Sequence, residues 1–168
     1  YAPAAAGLAQ ANEHELTTPD GVRLVTWRIA AQSGQPTILY FHGNGGGLVN
    51  RAARAARYAA LGYGMLMMSY RGYSGSTGSP SEAANLADGK LAYDTLIDEG
   101  IKAQDIAIYG ESLGTGIAVQ IAAEKPAMAP GMASEDEATR SSACVPRPFW
   151  LRATANAAMV ASDTAMVA

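Results

Sequence analysis

A mostly parallel α/β fold with helices on both faces of its sheet is predicted by three features of this 168-residue sequence. Short apolar runs of strand length alternate with longer segments of helical period. Glycine or proline punctuates each junction, and two leading strands make the sheet mixed.

The elements follow in order. EHELTT (13–18) and VRLVTWRIA (22–30) flank Pro19-Asp20-Gly21, a turn signal between two antiparallel strands. ILYF (38–41) reads as a buried strand. NRAARAARYAAL (50–61) places arginines at 51, 54 and 57 among alanines, which predicts an amphipathic helix with a charged outer face, ended by Gly62. MLMMSY (65–70) is the next strand, and RGYSGSTGSP is a loop. A helix begins near Ser81, with Glu82 in its first turn, and stops at Gly100. DIAIYG (105–110) is a further strand, and LGTGIAVQIAAEK (113–125) a helix that Pro126 stops.

Composition bounds the function. With 49% hydrophobic and 16% charged residues the chain suits one globular domain. A net charge of -3 without a Lys/Arg run excludes a basic nucleic-acid surface or a polybasic membrane tether. No nucleic-acid partner and no membrane span are expected. The chain starts at Tyr1, so the compartment is open: cytoplasmic, or membrane-associated through an upstream anchor. The single Cys144 precludes an internal disulfide.

Past Pro126 the character changes. Residues 127–168 contain no Ile and a single Leu, whereas residues 1–126 hold eight Ile and eleven Leu. The division expected is therefore 1–126, with a core from about residue 13, followed by an Ala/Ser/Met-rich tail, out of frame or disordered. With C-terminal strands missing, the strand at 105–110 would keep a bare outer edge, and self-association is expected.

Gly110-Glu111-Ser112-Leu113-Gly114 fits G-x-S-x-G between a strand and a helix. A serine on so sharp a turn needs small residues two positions away on either side, and Gly110 and Gly114 supply them. Its hydroxyl then projects past the carboxyl end of the sheet, and the Leu113 amide at the helix start faces a developing oxyanion. The competing reading is a glycine C-cap followed by a serine N-cap.

Phe41-His42-Gly43-Asn44-Gly45-Gly46-Gly47 follows the ILYF strand. Consecutive glycines, Gly43 and Gly45 among them, let backbone amides approach a ligand, with Asn44 as the oxyanion donor. A dinucleotide loop is disfavoured because G-x-G-x-x-G fails at Leu48 and no acidic residue ends the next strand. No cofactor and no metal are expected. His42 reads as a loop-shaping residue.

ILYFHGNGG, MMSYRGYSGSTGSPSE and IAIYGESLGTGIA, in that order, resemble the α/β-hydrolase superfamily over residues 13–126, in particular its esterase, lipase and acyl-thioesterase-like branch. The resemblance implies a Ser-His-acid hydrolase with Ser112 as nucleophile, Asn44 and Leu113 as oxyanion hole, and a small acyl ester or thioester as substrate. Ser69 stands where members commonly carry an acid, and Arg71 is assigned a structural role. The family order puts acid and histidine after the nucleophile. Here both histidines, His14 and His42, precede Ser112. A Ser-Lys dyad would need Lys90, Lys102 or Lys125. Two readings stay open: a serine hydrolase catalytically incomplete in this chain, and a non-catalytic ligand-binding or interaction module of the same fold.

Overall fold

A computed structural model describes residues 2–127 and the strand at 159–161. A six-stranded sheet runs in the order β1-β2-β4-β3-β5-β6. β1 (Asn12–Thr17) and β2 (Arg23–Ile29) form the expected hairpin, and β2 runs antiparallel to β4 (Gly64–Met68). From β4 onward the pairings are parallel, through β3 (Thr37–Phe41), β5 (Ile106–Glu111) and β6 (Met159–Ala161).

The central strands are buried on both sides because both faces carry helices. Ile38 and Tyr40, Met65 and Met67, Ala107 and Tyr109 share one core layer with Ala52 and Ala55 of α1 (Ala52–Ala60). Leu39 and Phe41, Leu66 and Met68, Ile106 and Ile108 share the other. There they meet Ala92, Tyr93 and Leu96 of α2 (Glu82–Asp98), and Ile117, Ala118 and Ile121 of α3 (Leu113–Glu124). Strand side chains alternate with a period of two, so a continuous apolar run such as TILYF feeds both layers at once.

The caps match the sequence. Ser81 accepts a hydrogen bond from the Ala84 amide at 3.1 Å and starts α2, and Gly62 and Gly100 follow α1 and α2 with left-handed φ of 85° and 88°. Arg71 joins Asp20 of the first hairpin turn to Asp88 of α2, in the structural role expected of it.

Two expectations need correction. The arginine helix is a 3-10 turn, Leu48–Arg51, running into α1, and its charged face does not point outward as a whole. Arg57 is exposed, but Arg51 is buried and Arg54 half-buried. Both turn toward the carboxyl end of the sheet, where Glu111 offers a carboxylate. The outer edge of β5, expected to be bare, is paired at its carboxyl end, with Tyr109, Gly110 and Glu111 opposite Met159, Val160 and Ala161. Three residues make no visible period, and a parallel partner so far along the chain leaves no local signal. The expectation of an out-of-frame or disordered tail otherwise falls on 128–158 and 162–168, outside the described residues.

Candidate active site

The site lies at the carboxyl ends of β3 and β5. Ser112 takes φ 50°, ψ -112° between β5 and α3, and only Ser74 shares a positive φ among the described non-glycine residues. A left-handed serine stores backbone strain of about 1–3 kcal/mol, which the surroundings must impose. Gly110 and Gly114 leave the room it needs. A Cβ at Gly110 would fall 2.3 Å from the Gly114 carbonyl oxygen, and one at Gly114 would fall 2.2 Å from that of Phe41. The hydroxyl makes no capping hydrogen bond to α3, and its φ lies outside the extended region that N-caps use. The N-cap reading of Ser112 therefore fails, and its side chain is left for another task.

The glycine loop closes against this turn. A Cβ at Gly43 would lie 3.3 Å from Ser112 Cβ and 3.2 Å from Glu111 Oε1, so a larger residue there would have to push the two segments apart by a few tenths of an ångström. Next to it, His42 is fully buried, with Nδ1 2.7 Å from the Gly43 carbonyl oxygen. A carbonyl only accepts, so Nδ1 carries the hydrogen. Burial holds the imidazole below its ordinary pKa, so the ring is neutral there. The bond fixes the Gly43–Asn44 peptide plane, and in a trans peptide the Asn44 N–H then points the opposite way. Tyr70 donates to the His42 carbonyl at 2.8 Å, and Tyr73 donates to Asn44 Oδ1 at 2.6 Å. Neither the Asn44 nor the Leu113 amide donates to an acceptor among the described residues.

Beneath the loop lies a charged cluster. Glu111 Oε1 accepts from Arg51 Nη2 at 2.8 Å, and Oε2 accepts from Tyr40 at 2.5 Å and from Arg54 Nη1 at 3.0 Å. Partial burial pushes the Glu111 carboxyl up, but the hydrogen bonds from Arg51 and Tyr40 and the charges of Arg51 and Arg54 outweigh it, and the group sits below its ordinary value. Tyr40 moves the other way, raised by burial and by its bond to Glu111.

The structure thus brings Gly43, Gly110, Ser112 and Gly114 together, with Asn44, Gly45 and Leu113 on the adjoining loop and turn. Arg51, Glu111, Tyr40 and Tyr73 were not singled out from the sequence. A signal existed for two of them: a carboxylate inside the G-x-S-x-G turn calls for a cation, and Arg51 stands four residues after the last glycine of the loop. The alternative bases do not converge on Ser112. His14 is on β1, separated from β5 by three strands. Lys90 and Lys125 pair with Glu124 and Asp94, and Lys102 precedes the amino end of β5, the end away from Ser112. No cluster of three His, Cys, Asp or Glu able to hold a metal occurs among the described residues, nor does a helix long and apolar enough to cross a membrane.

Known proteins resemble this chain in sequence and fold. The family model described as alpha/beta hydrolase fold matches residues 36–156, extending past Pro126. The protein bem46 of Schizosaccharomyces pombe is 34% identical over 140 residues, which is 80% of this chain and 47% of that protein. The lysophosphatidylserine lipase ABHD12 of Danio rerio is 39% identical over 92 residues, 54% of this chain and 24% of the relative. The chain thus spans less than half the length of these relatives. The crystal structure of an alpha-beta hydrolase from Vibrio vulnificus superposes with a TM-score of 0.61 at 28% identity, covering 67% of this chain and 39% of that one. By its motif-bearing elbow, its sheet order and the family match over most of its length, the chain belongs to the α/β hydrolase fold family.

Proposed function

We propose that this chain carries the nucleophile and the oxyanion-stabilising half of a serine hydrolase site for carboxylic esters or thioesters, with Ser112 as the acyl acceptor. The observation that carries this reading is the left-handed Ser112, held by Gly110 and Gly114 with an uncapped hydroxyl, against a glycine loop whose Gly43 packs onto it. In the reaction, Ser112 Oγ attacks the acyl carbon and its proton passes to solvent water; the tetrahedral adduct then expels the alcohol or thiol, and water hydrolyses the acyl-serine. The carbonyl oxygen takes up negative charge, and the amides of Asn44 and Leu113 donate to it. The fixed Gly43–Asn44 peptide spares the reorganisation that a flexible loop would require. Among the relatives, one is named a lysophosphatidylserine lipase, an ester hydrolase by name, which agrees with this substrate class.

The base is the missing part. No histidine follows Ser112 in the 168 residues, and neither preceding histidine serves: His14 is distant, and His42 is fully buried with Nδ1 on the Gly43 carbonyl and Nε2 making no hydrogen bond, to Ser112 or any other group, among the described residues. An unassisted serine is a weak nucleophile near neutral pH. Binding and oxyanion stabilisation alone leave roughly 10³–10⁴ over water when a triad member is absent. This chain is therefore expected to turn over p-nitrophenyl acetate slowly, in a manner lost on Ser112→Ala, and to react sluggishly with a fluorophosphonate probe. Rapid stoichiometric labelling lost on Ser112→Ala would mean a base is present. Ester turnover indifferent to Ser112→Ala would instead favour the non-catalytic module.

A further inference from the structure

The two amides assigned to the oxyanion sit on segments that no backbone pairing holds together. β3 and β5 are in register as far as Phe41 opposite Gly110, and beyond that point the glycine loop and the elbow leave the sheet separately. A loop with glycines at 43, 45, 46 and 47 has much conformational freedom to lose. Among the described residues, one side chain spans the gap. Arg51 Nη1 donates to the carbonyl oxygen of Gly45 and, at 3.4 Å, to that of Gly47, while Nη2 donates at 2.8 Å to Glu111, the residue before Ser112.

We infer that Arg51 is a positioning residue for the oxyanion hole, setting the distance between the Asn44 loop and the Ser112 elbow by bridging Gly45, Gly47 and Glu111. The inference rests on the proposed function. Geometry supports it first. The guanidinium is a planar fork that can serve two directions at once, which an ammonium cannot do with the same rigidity. Arg51 is buried, so the fork is not free to wander into solvent. Charge supports it second. A lone carboxylate at position 111 would oppose an oxyanion forming beside Ser112, and Arg51 together with Arg54 offsets that charge. Tyr40, stacked on Tyr109 with ring centroids 5.1 Å apart, holds the far oxygen of Glu111 and keeps the carboxylate aimed at the bridge.

The test uses the whole chain, p-nitrophenyl acetate, and four variants: Arg51→Met, Arg51→Lys, Glu111→Gln and, on the exposed side of the adjoining α1, Arg57→Ala as a control. Only the Ser112-dependent rate is counted. Arg51→Met should lower kcat about 10–100-fold with KM within about twofold, because the interaction matters only once the oxyanion forms. Arg51→Lys should recover most of the melting temperature lost in Arg51→Met but leave kcat at least about tenfold down, since one ammonium cannot hold both partners. Glu111→Gln should lower kcat less, and combining it with Arg51→Met should add little further loss. Arg57→Ala should match wild type. A kcat within twofold of wild type in both Arg51 variants would overturn the inference, as would kcat and melting temperature recovering together in Arg51→Lys. If wild type shows no Ser112-dependent turnover, the functional reading has failed, and the bridge is then judged by amide hydrogen exchange. Faster exchange at residues 44–47 in Arg51→Lys upholds the positioning role, and unchanged exchange rejects it.

Discussion

Arg71 meets Asp88 side-on, Nε 2.7 Å from Oδ2 and Nη2 2.8 Å from Oδ1, with the aspartate side chain only 2% exposed. The same guanidinium reaches Asp20, so one cation joins the first hairpin turn, the loop after β4 and α2. Breaking a fully buried pair typically costs about 3–5 kcal/mol, and because Arg71 keeps its solvent-facing pair with Asp20 the loss of Asp88 belongs at the lower end of that range. Asp88→Ala should lower unfolding stability by that order. Asp20→Ala, at the solvent-facing end, should cost far less. Urea denaturation of both variants gives the comparison, and equal losses would mean that Asp88 is not the anchoring partner.

The strain at Ser112 predicts a substitution that stabilises while abolishing function. Glycine adopts φ 50° without the penalty a side chain meets. Ser112→Gly should therefore raise stability by about 1 kcal/mol, a rise in Tm of about 2–4 °C, while removing any reaction with a fluorophosphonate. A lower Tm than wild type would show that the turn is not strained.

Glycines in and beside the elbow should separate sharply. Gly114→Ala places a Cβ 2.2 Å from the Phe41 carbonyl oxygen, a backbone atom that cannot step aside. Soluble folded protein should be lost or the Tm lowered by many degrees. Gly116→Ala, two residues on in α3 with no atom within 4 Å of the new Cβ, should stabilise by about 0.5–1 kcal/mol through helix propensity. Thermal melts of the two variants check this directly.

Two groups at the site make stability depend on pH between neutrality and moderate acid. His42 is neutral in the fold with its pKa held below the usual 6.5, chiefly by burial, so the unfolded chain takes up a proton that the folded one refuses. Stability from this source is complete above about pH 6.5 and declines as pH falls toward the lowered folded value. Glu111 is also depressed, so its contribution is present above its usual 4.5 and is lost further into acid. Denaturation free energies at pH 7.5, 6.0 and 5.0 should fall in that order, and His42→Asn should flatten the change between 7.5 and 5.0. An unchanged slope in that variant would remove His42 as its source.

Pairing along β5 bears on association. β6 covers Tyr109–Glu111, and no strand pairs with Ile106–Ile108 on that side among the described residues. A chain ending after residue 127 should expose the whole edge and self-associate more strongly than the 168-residue chain. Light scattering coupled to size exclusion compares them, and two monodisperse monomers of matching behaviour would contradict the expectation.

The sequence by itself determined the alternation of strands and helices, the hairpin at Pro19-Asp20-Gly21 and the nucleophile turn, because these rest on local spacing. Apolar period, capping residues and the two glycines flanking Ser112 act within a few positions of one another. Ser112 was legible for the same reason: the small residues that so sharp a turn needs, Gly110 and Gly114, are its own neighbours. Only the tertiary structure decided that Arg51 is buried against Glu111, that Tyr73 holds Asn44, and that 159–161 joins β5. Those partners stand 60, 29 and about 50 positions apart. An arginine on a helix carries the same local pattern whether it faces water or a carboxylate. Its partner is selected by the parallel sheet, which gathers the ends of β3 and β5 at one edge and brings their loops within hydrogen-bonding reach.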